Sequence, residues 1–77
     1  MKIDKIIRNI ERILDFHKEA KCDNEQRLRD LQQIDLSKAF EPEKLRGEYH
    51  HIHGSLCALT SIIIDLEALL AVCTEEE

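Results

Sequence analysis

The chain has 77 residues, of which 43% are hydrophobic and 35% are charged, with two glycines, one proline and no tryptophan. A chain of this length forms one domain with a thin core, and its scarcity of turn-forming residues favours long helices over a sheet. The net charge is -5, and residues 47–77 contain no lysine or arginine. Nucleic-acid binding, which depends on clustered positive charge, is therefore not expected.

The cysteine count and the hydropathy pattern indicate the cellular compartment of the protein. Three cysteines without a dense spacing pattern do not indicate a secreted disulfide framework. The N-terminus alternates charged with apolar side chains, unlike a signal peptide. The apolar stretch over residues 56–73 includes Asp65 and Glu67, which makes it a poor membrane span. We therefore expect a cytoplasmic protein that does not bind a membrane.

Residues 3–34 have the apolar periodicity of one long helix, and neither glycine nor proline interrupts them. The apolar stripe is predicted to contain Ile3, Ile6, Ile10 and Ile13, widened by Ile7 and Leu14 and resumed by Leu28, Leu31 and Ile34. On the same phase, the middle of the helix presents His17, Ala20, Asn24 and Arg27. Residues 21–24 are the weak point of this helix, where the sequence leaves open a kink or a break, because Asp and Asn have poor helix propensity.

A turn is predicted over residues 35–42, with Pro42 suited to the first position of the next helix. Leu36 and Phe40 are expected to cover the end of the core next to this turn. The second helix is predicted over residues 43–73, and residues 74–77 are expected to form a solvated acidic tail.

The second helix has the clearer pattern, because nine of its positions follow the alternating four-and-three spacing of a helix-packing seam. These positions are Leu45, Tyr49, Ile52, Leu56, Leu59, Ile63, Leu66, Leu70 and Cys73. A short turn makes the two helices antiparallel, so residues whose numbers add to about 76 are expected to lie opposite one another. The predicted fold class is all-α, with an antiparallel two-helix hairpin as its unit.

The second helix is also more apolar than one neighbouring helix can cover. Apolar residues lie on both sides of its seam, and a helix that is apolar all round is usually buried all round. We expect a second copy or another protein to complete the hairpin to a four-helix bundle. The predicted interface comprises Leu56, Leu59, Ile62, Ile63, Ile64, Leu66, Leu69 and Leu70.

This pattern favours a non-enzymatic protein–protein interaction module that acts as an adaptor, a chaperone or an inhibitor. Antiparallel hairpins of this size and acidity resemble, in shape, the small co-chaperones of type III secretion needles and phage-encoded inhibitors. The resemblance implies a protein partner, which can be a second copy in a homodimer or a different protein.

Residues 49–57, YHHIHGSLC, concentrate reactive side chains, and metal binding is one interpretation of them. On a helical wheel, His50, His53 and Cys57 share a flank that points away from the seam. An imidazole and a thiolate four residues apart suit zinc or a softer metal, with His50 and Cys22 as further ligands. The set of Cys22, His53 and Cys57 resembles that of copper-sensing repressors of the CsoR type, which implies metal binding.

Two other interpretations of this stretch remain open. The segment HHIHGS resembles the H-x-x-K-G-S signature of histidine phosphotransfer domains, with His53 in the usual place of the lysine. The resemblance implies that His50 is the phosphoacceptor. In the structural interpretation, which we favour, the histidines form hydrogen bonds across a helix interface. The small side chains of Gly54, Ser55, Ala58 and Ser61 then let the helices approach closely.

Overall fold

A computed structural model describes residues 2–75, which form two long helices joined by a short turn. Helix α1 spans Lys2–Gln32, a 3₁₀ turn spans Leu36–Lys38, and helix α2 spans Pro42–Glu75. The part of the chain that the structure describes contains no strand. The predicted all-α class and the helical hairpin are therefore confirmed.

All four helix boundaries differ slightly from the predicted ones, and each helix begins one residue before its predicted start. Helix α1 ends two residues earlier, at Gln32. It continues without a break through residues 21–24, as the prediction of one long helix requires. Packing against α2 along its whole length stabilises this segment despite its poor helix propensity. Helix α2 includes Thr74 and Glu75, which were expected in the tail. The other two residues of the predicted tail, 76 and 77, lie outside the described residues.

The turn is held by a local cap. The Asp35 carboxylate accepts hydrogen bonds from the Ser37 backbone N–H at 3.0 Å and from the Ser37 hydroxyl at 2.6 Å. Pro42 occupies the first position of α2, where a missing N–H costs no hydrogen bond. Phe40 is 97% exposed, so the expectation that it covers the core is wrong. Leu36, the other residue expected there, is half-buried.

The predicted seam of α2 is confirmed by burial. All nine of its positions are buried or half-buried, and Ile52 and Ile63 are the most deeply buried, at 7% exposure each. The strict spacing keeps these side chains on one line along the helix, so that a single neighbouring helix covers them.

The seam of α1 has the same four-and-three spacing, but its phase differs from the predicted one. It consists of Ile3, Ile7, Ile10, Leu14, His17, Lys21, Asn24, Leu28 and Leu31, all buried or half-buried. Ile6 and Ile13, predicted members of the seam, are 49% and 44% exposed, and Arg27 is also exposed. The observed phase places Leu28 in the seam beside Leu31, whereas the predicted phase places Arg27 at that level.

An ion pair shows the register between the helices. Arg27 Nε donates a hydrogen bond to Glu48 Oε1 at 2.6 Å, across the seam from α1 to α2. Residues at the same level therefore have numbers that add to about 75, close to the predicted value, because both helices rise equally per residue.

The seam can be tested by truncating one of its buried side chains. Replacement Ile63→Ala is expected to lower the free energy of unfolding by about 2–5 kcal/mol, and the milder Ile63→Val by about 0.5–1.5 kcal/mol. The matched control is Ile64→Ala, because Ile64 is 59% exposed. Denaturant melts followed by circular dichroism measure all three variants. Equal losses for Ile63→Ala and Ile64→Ala would contradict the observed seam.

The ion pair makes stability depend on pH. The hydrogen bond from Arg27 is the main cause that lowers the pKa of Glu48 below its ordinary value of 4.5. A carboxyl with a lowered pKa in the folded state stabilises the fold above its unfolded pKa. That contribution is lost as the pH falls below 4.5 and passes the folded pKa.

Replacement Glu48→Gln is therefore expected to reduce the stability difference between pH 7 and the acid range, relative to the wild type. The effect is small, because both side chains are partly exposed, and it shrinks further in high salt. Thermal melts at stepwise lower pH measure it. Parallel pH profiles for the two proteins at low salt would show that the pair does not stabilise the hairpin.

Candidate functional site

Positions beside the seam recur every seven residues on one side of the hairpin. They are Ile6, Ile13, Ala20 and Arg27 in α1, and Glu48, Ser55, Ile62 and Leu69 in α2. The contact between Arg27 and Glu48 shows that the two series lie on the same side. From the open end to the turn, the register pairs Ile6 with Leu69, Ile13 with Ile62, Ala20 with Ser55, and Arg27 with Glu48.

This side of the hairpin therefore changes from large and apolar at the open end to small and then charged towards the turn. Phe16 and Val72 extend its apolar part on the outer edges of the two helices. We define the apolar face as Ile6, Ile13, Phe16, Ile62, Leu69 and Val72. These residues are 39–69% exposed, and they are six of the nine large exposed hydrophobic residues in the described chain. Their clustering on one side is typical of an interaction surface.

The other side of the hairpin is mainly polar, with exposed Ile64 as its one large apolar residue among those described. Its series beside the seam consists of Asp4, Glu11, Lys18 and Glu25 in α1, and Arg46, His53, Thr60 and Glu67 in α2. The two sides thus differ sharply, although each is built from the same helix pair.

The structure separates the eight residues of the predicted interface into three groups. Ile63 is buried in the seam, where Leu56, Leu59, Leu66 and Leu70 are half-buried. Ile62 and Leu69 belong to the apolar face. Ile64 is exposed on the opposite flank of α2. Only two of the eight therefore lie on the apolar face.

The α1 half of the apolar face is not among the predicted interface residues. The predicted stripe of α1 places Ile6 and Ile13 in the seam and does not contain Phe16. A signal for them was present, because Ile6 and Ile13 recur seven residues apart, as Ile62 and Leu69 do. That recurrence is informative only when the register between the helices is known.

The predicted histidine flank is present on α2. His50, His53 and Cys57 are all exposed on it. The Tyr49 ring stacks on His53 with centroids 6.2 Å apart and meets the edge of His50 at 5.7 Å. Within residues 2–75, the structure gathers no group of three or more His, Cys, Asp or Glu side chains able to hold a metal ion. It therefore does not bring these three and Cys22 together as a ligand set.

The histidines of α2 do not pack between the helices, so the structural interpretation is wrong within the hairpin. All three are exposed, because Ile52 and Leu56 are the side chains that face α1 at this level. The half-buried polar side chains of the seam belong to α1 instead: His17, Lys21 and Asn24. Polar groups at such positions weaken packing but fix register.

Gly54 does not serve a close approach between the two helices. A Cβ atom added to it would meet nothing within 4 Å, because this position lies on the outward side of α2. His50, one turn earlier, is also exposed. The outward surface around His50 is therefore accessible, as the phosphotransfer interpretation requires.

A cleft with a volume of about 390 Å³ opens at the turn end of the hairpin. Its lining includes Leu31, Ile34, Leu36, Leu45, Tyr49 and His50. The cleft is thus mostly apolar, with one histidine of the exposed flank at its edge.

Helix α2 is long and apolar enough to cross a membrane by length and composition alone. It includes an 18-residue stretch with at most two charged residues, and only 6% of that stretch is buried within the hairpin. A helix that packs in a soluble bundle can meet the same criteria, so the cytoplasmic location stays a prediction.

No protein family matches this sequence, and no curated protein or solved structure is significantly similar to it.

The outward position of Gly54 leads to a stability prediction. Replacement Gly54→Ala is expected to raise the free energy of unfolding by about 0.5–1 kcal/mol, because alanine is the better helix former and the added methyl meets no atom. Chemical denaturation measures the change. A loss of stability or of self-association would show that another helix packs against this glycine.

The metal interpretation can be tested on the same melting curves. A metal bound only in the folded state adds about 2.7 kcal/mol at 100 times its dissociation constant. We expect zinc or chelator to leave the midpoint of the wild type unchanged. The double replacement His53→Ala with Cys57→Ala is the control. A chelator-induced drop that disappears in this variant would establish the metal site.

Proposed function

We propose that this chain is a non-enzymatic protein-interaction module whose apolar face docks against an apolar surface of a helical protein. The proposal rests on the division of the hairpin into one apolar and one polar side. A solvated hairpin gains nothing from Ile6, Ile13, Ile62 and Leu69 at matching levels on two helices, because exposed apolar area is unfavourable in water. The same four side chains stabilise a complex when a second surface covers them.

The exposed area supports docking of a whole protein surface. The hairpin exposes 5988 Å², whereas a compact monomer of 9.0 kDa exposes about 4,850 Å². The difference, about 1,100 Å², exceeds the roughly 800 Å² that each partner buries in a standard protein interface. The hairpin can therefore bury a full interface and still expose as much surface as a compact protein of its mass.

The composition of α1 favours a protein over a lipid bilayer as the surface that covers the apolar face. Half of this face belongs to α1, whose seam also carries His17 and Lys21. Insertion of the intact hairpin into hydrocarbon would bring these polar side chains with it, at considerable cost. A protein surface can cover the apolar face while the polar side of the hairpin stays in water.

Site-specific photo-crosslinking in cells tests the proposal. A benzophenone side chain placed at Ile13, on the apolar face, is expected to form covalent adducts with protein. The matched control is the same group at Lys18, which is exposed on the polar side of α1. Protein adducts at Ile13 but not at Lys18 support the proposed docking. Equal labelling at both positions, or adducts with lipid alone at Ile13, would refute it.

A further inference from the structure

We infer that the surface covering the apolar face is a second copy of this chain, with both turns at the same end of a four-helix bundle. This inference rests on the proposed function and specifies the partner and its orientation. It follows from the order of residues along this side of the hairpin, which are large and apolar at the open end, small in the middle and charged near the turn.

Two hairpins can meet through the same face in two symmetric ways. If the two-fold axis runs along the helices, both turns lie at one end, and α1 of each copy lies antiparallel to α2 of the other. If the axis runs across the helices, the turns lie at opposite ends, and α1 packs on α1 of the other copy.

With the lengthwise axis, the four pairs of residues that meet across the interface are compatible in size and charge. In this arrangement, α1 of one copy is antiparallel to α2 of the other, as within one hairpin. Residues at the same level across the interface therefore also have numbers that add to about 75. Ile6 meets Leu69 of the second copy, Ile13 meets Ile62, Ala20 meets Ser55, and Arg27 meets Glu48. Apolar residues thus face apolar ones, small residues face each other, and opposite charges face at the turn end.

Two levels on the outer edges of the interface fit the same arrangement, although Val72 lies at the level of Lys2. On the outer edges of the two helices, further from the seam, Phe16 lies beside Ala58 of the second copy, and Asp23 lies beside His51 of the second copy. A large side chain therefore meets a small one, and a carboxylate meets an imidazole. This placement gives His51 a partner, although it is exposed in the single hairpin.

The crosswise axis gives a poor fit. When the two hairpins overlap along their full length, it brings the apolar open end of each hairpin against the end of the other copy that carries Arg27 and Glu48. Ile6 would face Arg27 of the second copy, and Leu69 would face Glu48. Burying charges against apolar side chains is unfavourable, so the graded face selects the lengthwise axis.

Complementary variants test both the partner and the orientation by sedimentation equilibrium. The wild type is expected to dimerise at micromolar concentration. Ile13→Glu and Ile62→Lys are each expected to weaken self-association at least about tenfold, a change of about 1.4 kcal/mol. An equimolar mixture of the two variants should regain dimers, because position 13 of one chain then faces position 62 of the other. Circular dichroism checks that each variant remains helical.

A spin-label distance reports the orientation independently. The label is attached through Lys38→Cys in the turn, in a chain with Cys22→Ser, Cys57→Ser and Cys73→Ala. Turns at the same end place the two labels within about 30 Å, twice the 15 Å width of the hairpin, whereas turns at opposite ends separate them by nearly its 58 Å length. The measurement is made by electron paramagnetic resonance on the dimer.

A wild-type mass of 9.0 kDa at several hundred micromolar would overturn the inference. So would a mixture of the two variants that fails to dimerise although each is helical, or a long distance between the labels. These failures are distinguishable from failure of the proposed function. A monomeric protein that still forms protein adducts at Ile13 in cells would keep the docking role with a different partner.

Discussion

The antiparallel packing of two seams is the constraint on which the rest of this structure depends. Among the residues that the structure describes, only six hydrophobic side chains are buried, and they all lie in the two seams. The core is therefore a single row of side chains between two helices. Because the four-and-three spacing holds each seam on one line, packing the seams together also determines which residues flank them on either side. The ion pair of Arg27 with Glu48 shows the resulting register.

The two different sides of the hairpin follow from this register. Isoleucine and leucine pairs come together at the open end of one side, while the opposite side receives mainly charged and polar residues. The outcome is an elongated object with a radius of gyration of 17.4 Å, compared with about 11–12 Å for a compact domain of the same length. Such a shape cannot bury its own apolar face. The proposed docking, and the pairing with a second copy, are both ways of burying that face without unfolding the hairpin.

Much of α2 could be predicted from the sequence, because its seam is strict over nine positions. The phase of α1 could not, because Ile6 and Ile13 form a stripe next to that of Ile7 and Leu14, and local periodicity favours neither. The flank that carries His50, His53 and Cys57 followed correctly from helical geometry. Their exposure contradicts the favoured interpretation of hydrogen bonds across a helix interface within the hairpin, because the half-buried polar residues His17, Lys21 and Asn24 of the seam belong to α1. The apolar face can be predicted only when the register between the two helices is known, and neither helix alone determines that register.

The most direct test of this account is the pattern of nuclear Overhauser effects between isoleucine δ-methyl groups in perdeuterated, methyl-labelled protein. The register places Ile13 beside Ile62 on the apolar face, and it places Ile64 on the opposite flank of α2. The account predicts a cross-peak between Ile13 and Ile62 and none between Ile13 and Ile64. A cross-peak from Ile13 to Ile64, with none to Ile62, would show that α1 presents a different side to α2 and that the apolar face does not exist.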